Sequence, residues 1–233
     1  MRATPSSMPN PPEAQSLARL LAARPAGDLW VFGYASLIWR PEFEAAQALP
    51  TRVHGWHRAL KMWSRINRGS PECPGLVFAL LRGGSCAGMV YRVPEAQARE
   101  VLERLWAREM PMAVYEPRWL ACPTSAGTVR ALAFTLPQHS PSHTGTLSAA
   151  QLRHIFAHAQ GRFGSTREYA EQTLRALRAR HRRPGPGPAD SPGQQPGPSA
   201  QYTVAMNIAD LRKSYEKAEL SEQASHAEDR KST

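Results

Sequence analysis

Residues 31–41 read Val-Phe-Gly-Tyr-Ala-Ser-Leu-Ile-Trp-Arg-Pro, a strand-like run followed by small residues and then by bulky apolar ones. The run 29–32 consists of β-favouring residues and ends at Gly33, which predicts a buried strand that closes on a tight turn. Successive backbone N–H groups in such a turn form a concavity that can hold a carboxylate or a developing oxyanion, and Ser36 adds a hydroxyl. On these residues alone, an ordinary structural turn remains the alternative.

Apolar runs that follow this turn predict a mostly antiparallel β core. Turn signals rich in Gly, Pro and Ser separate the runs. Pro94 opens a helix with apolar residues at helical spacing, which runs through Glu109 and Met110 before Pro111 stops it. Capping-box patterns at Ser148 and Ser165 predict two more helices. The predicted strands after the first are 52–63, 76–81, 88–93, 114–120 and 129–136.

The composition of the 233-residue chain predicts a folded centre and two ends that are poor in residues for a packed core. Residues 1–27 are rich in Pro and Ala and predict a disordered, loosely attached leader with one short helical patch. Residues 28–183 form the predicted catalytic domain. Residues 184–200 cannot bury apolar area and predict an extended linker. Residues 201–233 form a charged tail for which no catalytic role is expected.

Charge and cysteine usage narrow the class of protein. The formal net charge is +10, but only residues 162–183 are dense in Arg, so no nucleic-acid partner is predicted. Three irregularly spaced cysteines argue against a disulfide framework and against a zinc site, which fits a reducing cytoplasm. No segment approaches the roughly 20 apolar residues that cross a bilayer. We therefore expect a cytoplasmic protein without a membrane partner, and make no prediction of its oligomeric state.

Glu109 is a candidate for proton transfer, because it is a carboxylic acid at a predicted helix end with apolar neighbours. Apolar neighbours would raise its pKa toward the range that is useful in catalysis, while an exposed glutamate at a helix end is the alternative. The neighbours are Trp106, Met110 and Met112.

Metal and cofactor sites are not predicted. His54 and His57 fall on a strand at a spacing that puts the rings on opposite faces. His154 and His158 share a helix face, but no acidic or cysteine ligand accompanies them. There is also no Gly-rich phosphate loop.

The segment 31–41 closely resembles the signature of the ChaC-type γ-glutamylcyclotransferases, which usually reads VFGYGSLIW followed by a proline. The resemblance continues through several further motifs in the same order and covers most of the predicted domain. These motifs lie at 53–58, 63–64, 68–75, 88–93, 106–110 and 164–169.

The resemblance implies an α+β fold with a small β-barrel-like sheet and packed helices. It also implies a reaction without a cofactor, in which the α-amine of a γ-glutamyl group attacks its own γ-carbonyl. Glutathione would then give 5-oxoproline and cysteinylglycine. Glu109 is implied as the catalytic residue. The residues implied to hold the γ-glutamyl group are Gly33, Tyr34, Ala35, Ser36, Leu37 and Ile38.

Two departures from the family pattern keep other functions open. Ala35 replaces a glycine of the signature, and a positive φ at this position would add strain of about 1 kcal/mol. After Tyr169 the family continues into a Gly-Ile-x-Asp segment and a Leu-rich helix, but here 180–183 leads into the linker. One alternative is therefore a regulatory protein that binds γ-glutamyl groups without turnover. The other is a cyclotransferase for other γ-glutamyl amines.

The segment 206–215 is similar to the start of a pyridoxamine phosphate oxidase, whose flavin-binding barrel is absent from this chain. This resemblance implies that two reading frames have been joined. A solvated amphipathic helix of no special origin is the alternative. Neither interpretation gives the tail a catalytic role.

Overall fold

A computed structural model describes residues 11–181 of the chain. The predictions for the linker 184–200 and the tail 201–233 lie outside the described residues. The helices are α1 (Pro11–Ala22), α2 (Glu95–Glu109), α3 (Ala149–His158) and α4 (Thr166–His181), with a short 3-10 turn at Ser36–Ile38. The strands are β1 (Leu29–Gly33), β2 (Gln47–Ser64), β3 (Gly75–Val93), β4 (Glu116–Thr124), β5 (Gly127–Thr135), β6 (Gln160–Gly161) and β7 (Gly164–Ser165).

Five of the strands form one mixed sheet in the order β2-β3-β1-β5-β4. Neighbouring strands are antiparallel except β1 and β5, which run parallel. The edge strands β2 and β4 contact each other, and the Thr51 hydroxyl donates to the Pro123 carbonyl at 2.7 Å. The sheet therefore curls into a half barrel, which confirms the α+β fold with a small barrel-like sheet.

Strand β3 is continuous where the sequence predicted two strands, 76–81 and 88–93, joined by a turn at 82–84. Gly83 and Gly84 have φ values of +96° and +67°, and they lie opposite Gly55, whose φ is +78°. The register between β2 and β3 shifts at this point. Glycines reach positive φ at little cost, so the extra residues are absorbed as a bulge and the chain does not reverse.

The leader predicted as disordered over 1–27 contains helix α1. Leu20 is buried in the main core, and Leu17 and Leu21 pack against it. Burying an aliphatic side chain contributes about 1.5–3 kcal/mol, which favours order for a segment with apolar residues at helical spacing. The short helical patch that the sequence predicted within the leader is therefore part of α1, and it is packed on the core.

Helix α2 lies against one face of the sheet. Its apolar side packs on Val31 of β1 and Leu132 of β5 within the main core. Pro94 precedes the helix and Met110 ends it, as the sequence predicted. This packing places Glu109, the last residue of α2, beside the end of β1.

Helix α4 closes the opposite side of the turn after β1. Its predicted capping box is confirmed, because the Glu168 N–H donates to Ser165 Oγ and the Ser165 N–H donates to Glu168 Oε2. The indole N–H of Trp39 donates to Thr173 Oγ1 at 3.1 Å. The Trp39 and Tyr169 rings meet edge to face. These contacts fix α4 to the segment that follows the 3-10 turn.

None of the helices in the described part of the chain combines the length and the apolar composition that a bilayer span requires.

Candidate active site

The 3-10 turn at Ser36–Ile38 directly follows β1. The Ile38 N–H donates to the Ala35 carbonyl at 2.9 Å, and the Trp39 and Arg40 N–H groups donate to the Ser36 carbonyl. The first N–H groups of a helical turn have no acceptor within that turn. Here these first N–H groups are those of Ser36 and Leu37.

A narrow recess lies between this turn, the end of α2 and the start of α4. Its cavity volume is about 30 Å³, which is enough for a small polar group. The lining residues are Tyr34, Ala35, Ser36, Leu37, Phe78, Glu109, Tyr115, Phe134 and Tyr169.

Four of the six predicted cradle residues line the recess together with Glu109. Gly33 and Ile38 do not. A Cβ on Gly33 would come within 3.0 Å of the Tyr91 ring, so this glycine allows close packing behind the turn. Ile38 packs against Met89 and Tyr91 in a separate part of the core. The roles of the recess residues remain predictions at this point.

Ala35 does not adopt the conformation on which the strain argument depended. Its φ is −139°, outside the left-handed region that favours glycine. Its side chain is 7% exposed and belongs to a buried apolar cluster. The methyl group is therefore accommodated without a positive-φ penalty, and the condition under which strain was expected is not met.

Ala35→Gly is accordingly expected to lower stability and to leave turnover without improvement. Glycine at a negative-φ position increases the entropy of the unfolded chain, which costs about 0.4–1 kcal/mol. Thermal unfolding and kcat of the purified variant test this. An increase in kcat would restore the idea that alanine strains the turn.

Glu109 has a poorly solvated carboxyl group, since its side chain is 16% exposed. Burial raises the pKa of Glu109 above its ordinary value. Arg108 opposes this shift by charge and hydrogen bonding, and the negative charge of Glu42 adds to it. A carboxyl group with a raised pKa accepts a proton more readily near neutral pH than an exposed glutamate does.

Three tyrosines surround the recess. The Tyr34 hydroxyl donates to the Phe134 carbonyl at 3.0 Å, and the Phe78 N–H donates to the Tyr169 hydroxyl at 3.2 Å. The Tyr115 side chain hydrogen-bonds with Tyr34. Burial raises the pKa of all three phenols, and the charge of Glu109 raises them further. They therefore stay neutral and line the recess with polar groups that carry no charge.

Sequence reasoning assigned no role to Arg108, Tyr115 or Tyr169. Arg108 and Tyr169 both fall in motifs that carry the resemblance, next to Glu109 and in the segment 164–169 respectively. Tyr115 was predicted only as part of a strand, but it precedes β4 and faces the recess. The sequence offered one signal for Arg108, which is that it directly precedes the predicted catalytic carboxylate Glu109.

The chain belongs to the family of ChaC-like proteins, whose model matches residues 29–185. It is 36% identical over 158 residues to the glutathione-specific γ-glutamylcyclotransferase of Escherichia coli, which covers 67% of this chain and 68% of that protein. It is 29% identical over 174 residues to the human glutathione-specific γ-glutamylcyclotransferase 1, covering 70% of this chain and 78% of the relative.

The fold is also similar to a crystal structure of a γ-glutamyl cyclotransferase specific to glutathione from yeast. The TM-score is 0.59 at 21% sequence identity, and the match covers 65% of this chain and 87% of the yeast chain. At this identity the likeness concerns the fold alone.

Proposed function

We propose that this chain is a glutathione-specific γ-glutamylcyclotransferase, with Glu109 as its acid/base and the 34–37 turn as its substrate cradle. One observation carries the proposal: a poorly exposed carboxyl group and the residues of the 34–37 turn line the same recess. The names of the Escherichia coli and human relatives support glutathione as the substrate.

In the first step, the carboxylate of Glu109 accepts a proton from the α-ammonium of the γ-glutamyl group, which is mostly protonated at neutral pH. The freed amine attacks the γ-carbonyl carbon of the same residue, and a C–N bond closes a five-membered ring. The carbonyl electron pair moves to oxygen. The N–H groups of Ser36 and Leu37 stabilise the resulting oxyanion.

In the second step, the tetrahedral intermediate collapses and the bond to the cysteine nitrogen breaks. The leaving nitrogen takes the proton that Glu109 had accepted as this C–N bond breaks. The regenerated carboxylate then accepts the second proton of the positively charged ring nitrogen and passes it to the departing amine, so the lactam is neutral and Glu109 is again ionised. The products are 5-oxoproline and cysteinylglycine, and no water is consumed. Because nucleophile and electrophile belong to one molecule, a cradle that holds the folded-back conformer lowers much of the barrier.

The lining of the recess assigns the reacting half of the substrate to it. Glu109 and the 34–37 turn both line the recess, so the γ-glutamyl end is placed there. The cysteinylglycine half lies at the mouth, where the leaving group is selected. A cyclotransferase for other γ-glutamyl amines would differ there and not at Glu109.

A substrate comparison tests the proposed function. The purified full chain is incubated separately with glutathione, γ-glutamylalanine and N-ε-(γ-glutamyl)lysine, and 5-oxoproline is measured by mass spectrometry. We expect the highest kcat/KM with glutathione. A higher kcat/KM with another substrate would show that the preferred leaving amine is not cysteinylglycine, and the chain would be a cyclotransferase for other γ-glutamyl amines. Binding of glutathione by calorimetry without any product would favour a regulatory binding protein.

The proposal includes a cytoplasmic location and a functional domain at 28–183. Free thiols at Cys73, Cys86 and Cys122 suit a reducing compartment.

Truncation after Arg183 is expected to leave kcat and Tm close to those of the full chain. The composition of 184–200 gives that segment no means to bury apolar area, and no catalytic role is proposed for 201–233. Thermal unfolding and the glutathione assay on the truncated chain test this. A large fall in Tm would mean that the removed part completes the fold.

A further inference from the structure

Arg108 joins the two halves of the candidate site. Its Nε lies 3.0 Å from Glu109 Oε1, and its Nη2 donates to Ser36 Oγ at 3.2 Å. One guanidinium therefore contacts both the carboxyl group and the turn that face the recess. The Arg108 side chain is 21% exposed, so water screens these contacts only in part.

The same guanidinium also holds the segment that follows the turn. Its Nη1 donates to the Arg40 carbonyl at 2.7 Å and contacts the carbonyl of Pro41. It also forms an ion pair with Glu42 Oε2 at 2.9 Å. A planar guanidinium presents several donors in a fixed geometry, which a lysine ammonium cannot reproduce.

Glu42 supplies a second, independent sign that this segment is held in place. Its φ is +60°, a left-handed conformation that costs a residue other than glycine free energy. Arg40 Nε lies 2.6 Å from Glu42 Oε1, so two arginines bind its two carboxylate oxygens. Such backbone strain persists where surrounding contacts fix the conformation.

We propose that Arg108 is a positioning residue for cyclotransfer, which locks Glu109 to the Ser36 turn and to the segment 40–42 in one arrangement. This role rests on the proposed function. Arg108 Nε pairs with Glu109 Oε1. In this proposal the other carboxylate oxygen, Oε2, exchanges the proton with the substrate. Arg108 is not itself expected to touch the reacting atoms.

The charged and titratable groups around Glu109 set the direction of its pH dependence. They are Arg108 of α2, Glu42 after the turn, Tyr34 at the end of β1, Tyr115 before β4 and Tyr169 of α4. Burial raises the pKa of Glu109, Arg108 lowers it by charge and hydrogen bonding, and the charge of Glu42 raises it. Because the ionised carboxylate accepts the first proton, activity falls as the pH drops through this pKa.

The test is a set of pH profiles of kcat and KM with glutathione for the full chain and its variants. Arg108→Gln is expected to lower kcat by about 10- to 100-fold with little change in KM, and to move the acidic limb to higher pH. In Arg108→Lys the positive charge remains, so the low-pH fall in activity should occur at the wild-type pH, but kcat should stay low. Glu42→Gln should move the limb to lower pH.

Arg104→Gln is the matched control, since Arg104 lies one turn earlier on α2 and pairs with Glu100 at the surface. Melting curves establish whether each variant is folded. If Arg108→Gln does not fold, Arg108→Lys and Glu42→Gln still test the proposal. If the wild type turns over and Arg108→Gln behaves like Arg104→Gln, or if Arg108→Lys has full kcat, the positioning role is overturned and the proposed function stands. A wild-type chain without turnover overturns both.

Discussion

Glu109→Gln is expected to lower kcat with glutathione by about 10²- to 10⁴-fold, or about 3–5 kcal/mol of activation free energy. Glutamine keeps the shape of the side chain but cannot accept the proton of the α-ammonium. The same group must return a proton to the leaving nitrogen, so both steps lose their carrier.

Glutathione should still bind to the Glu109→Gln variant. The 34–37 turn is unchanged, and removing a negative charge near a substrate with two carboxylates can tighten binding. Glu103→Gln is the matched control, since Glu103 lies on the same helix and pairs with Arg99 at the surface. Near-normal kcat with a raised KM would assign Glu109 to binding alone and would end the proposed mechanism.

Gly88→Ala is expected to destabilise the fold by about 3 kcal/mol, which corresponds to a fall in Tm of roughly 6–12 °C for a domain of this size. A Cβ at this position would lie 2.5 Å from the Gly33 carbonyl oxygen and 2.6 Å from the Phe32 ring. Phe32 is fully buried, and the close packing of a protein interior resists a shift of its ring. The strain would fall on the end of β1, directly before the cradle.

Gly145→Ala provides the comparison for this effect. A Cβ on Gly145 would meet no atom within 4 Å, although its φ is +64°. Only the left-handed penalty of about 1 kcal/mol is then expected. Equal losses of Tm for the two variants would show that the contact between β3 and the end of β1 is not tight.

The sequence was sufficient for the parts of the fold that depend on local patterns. Strand β1 and its turn follow from an apolar run that ends in glycine, and α2 follows from helical spacing between Pro94 and Pro111. The capping boxes at Ser148 and Ser165 were confirmed for the same reason, because both partners lie within one turn of helix.

Features that depend on distant partners were predicted only in part. The pair Gly83-Gly84 is typical of a hairpin turn, but β2 supplies Gly55 opposite it and the two strands continue together. Helix α1 is short and marginal by composition, and it is ordered by packing against α2. In both cases tertiary contacts outweigh the local preference.

The candidate site was predicted in part. The proximity of Glu109 to the 34–37 turn could be expected only from the resemblance, since more than one strand and helix lie between them in sequence. The backbone angle of Ala35 and the contacts of Arg108 require coordinates. The Arg108 side chain bridges Ser36, Glu42 and Glu109. Contacts of this kind produce no residue pattern at a fixed spacing in the sequence.

Cyclotransfer differs from hydrolysis in whether water enters the product, and isotope labelling measures this directly. The purified chain is incubated with glutathione in H₂¹⁸O, and the released γ-glutamyl product is examined by mass spectrometry. Intramolecular attack by the α-amine predicts 5-oxoproline without ¹⁸O, formed in equal amount with cysteinylglycine. Glutamate carrying ¹⁸O in its γ-carboxyl group would show that water is the nucleophile and would contradict cyclotransfer.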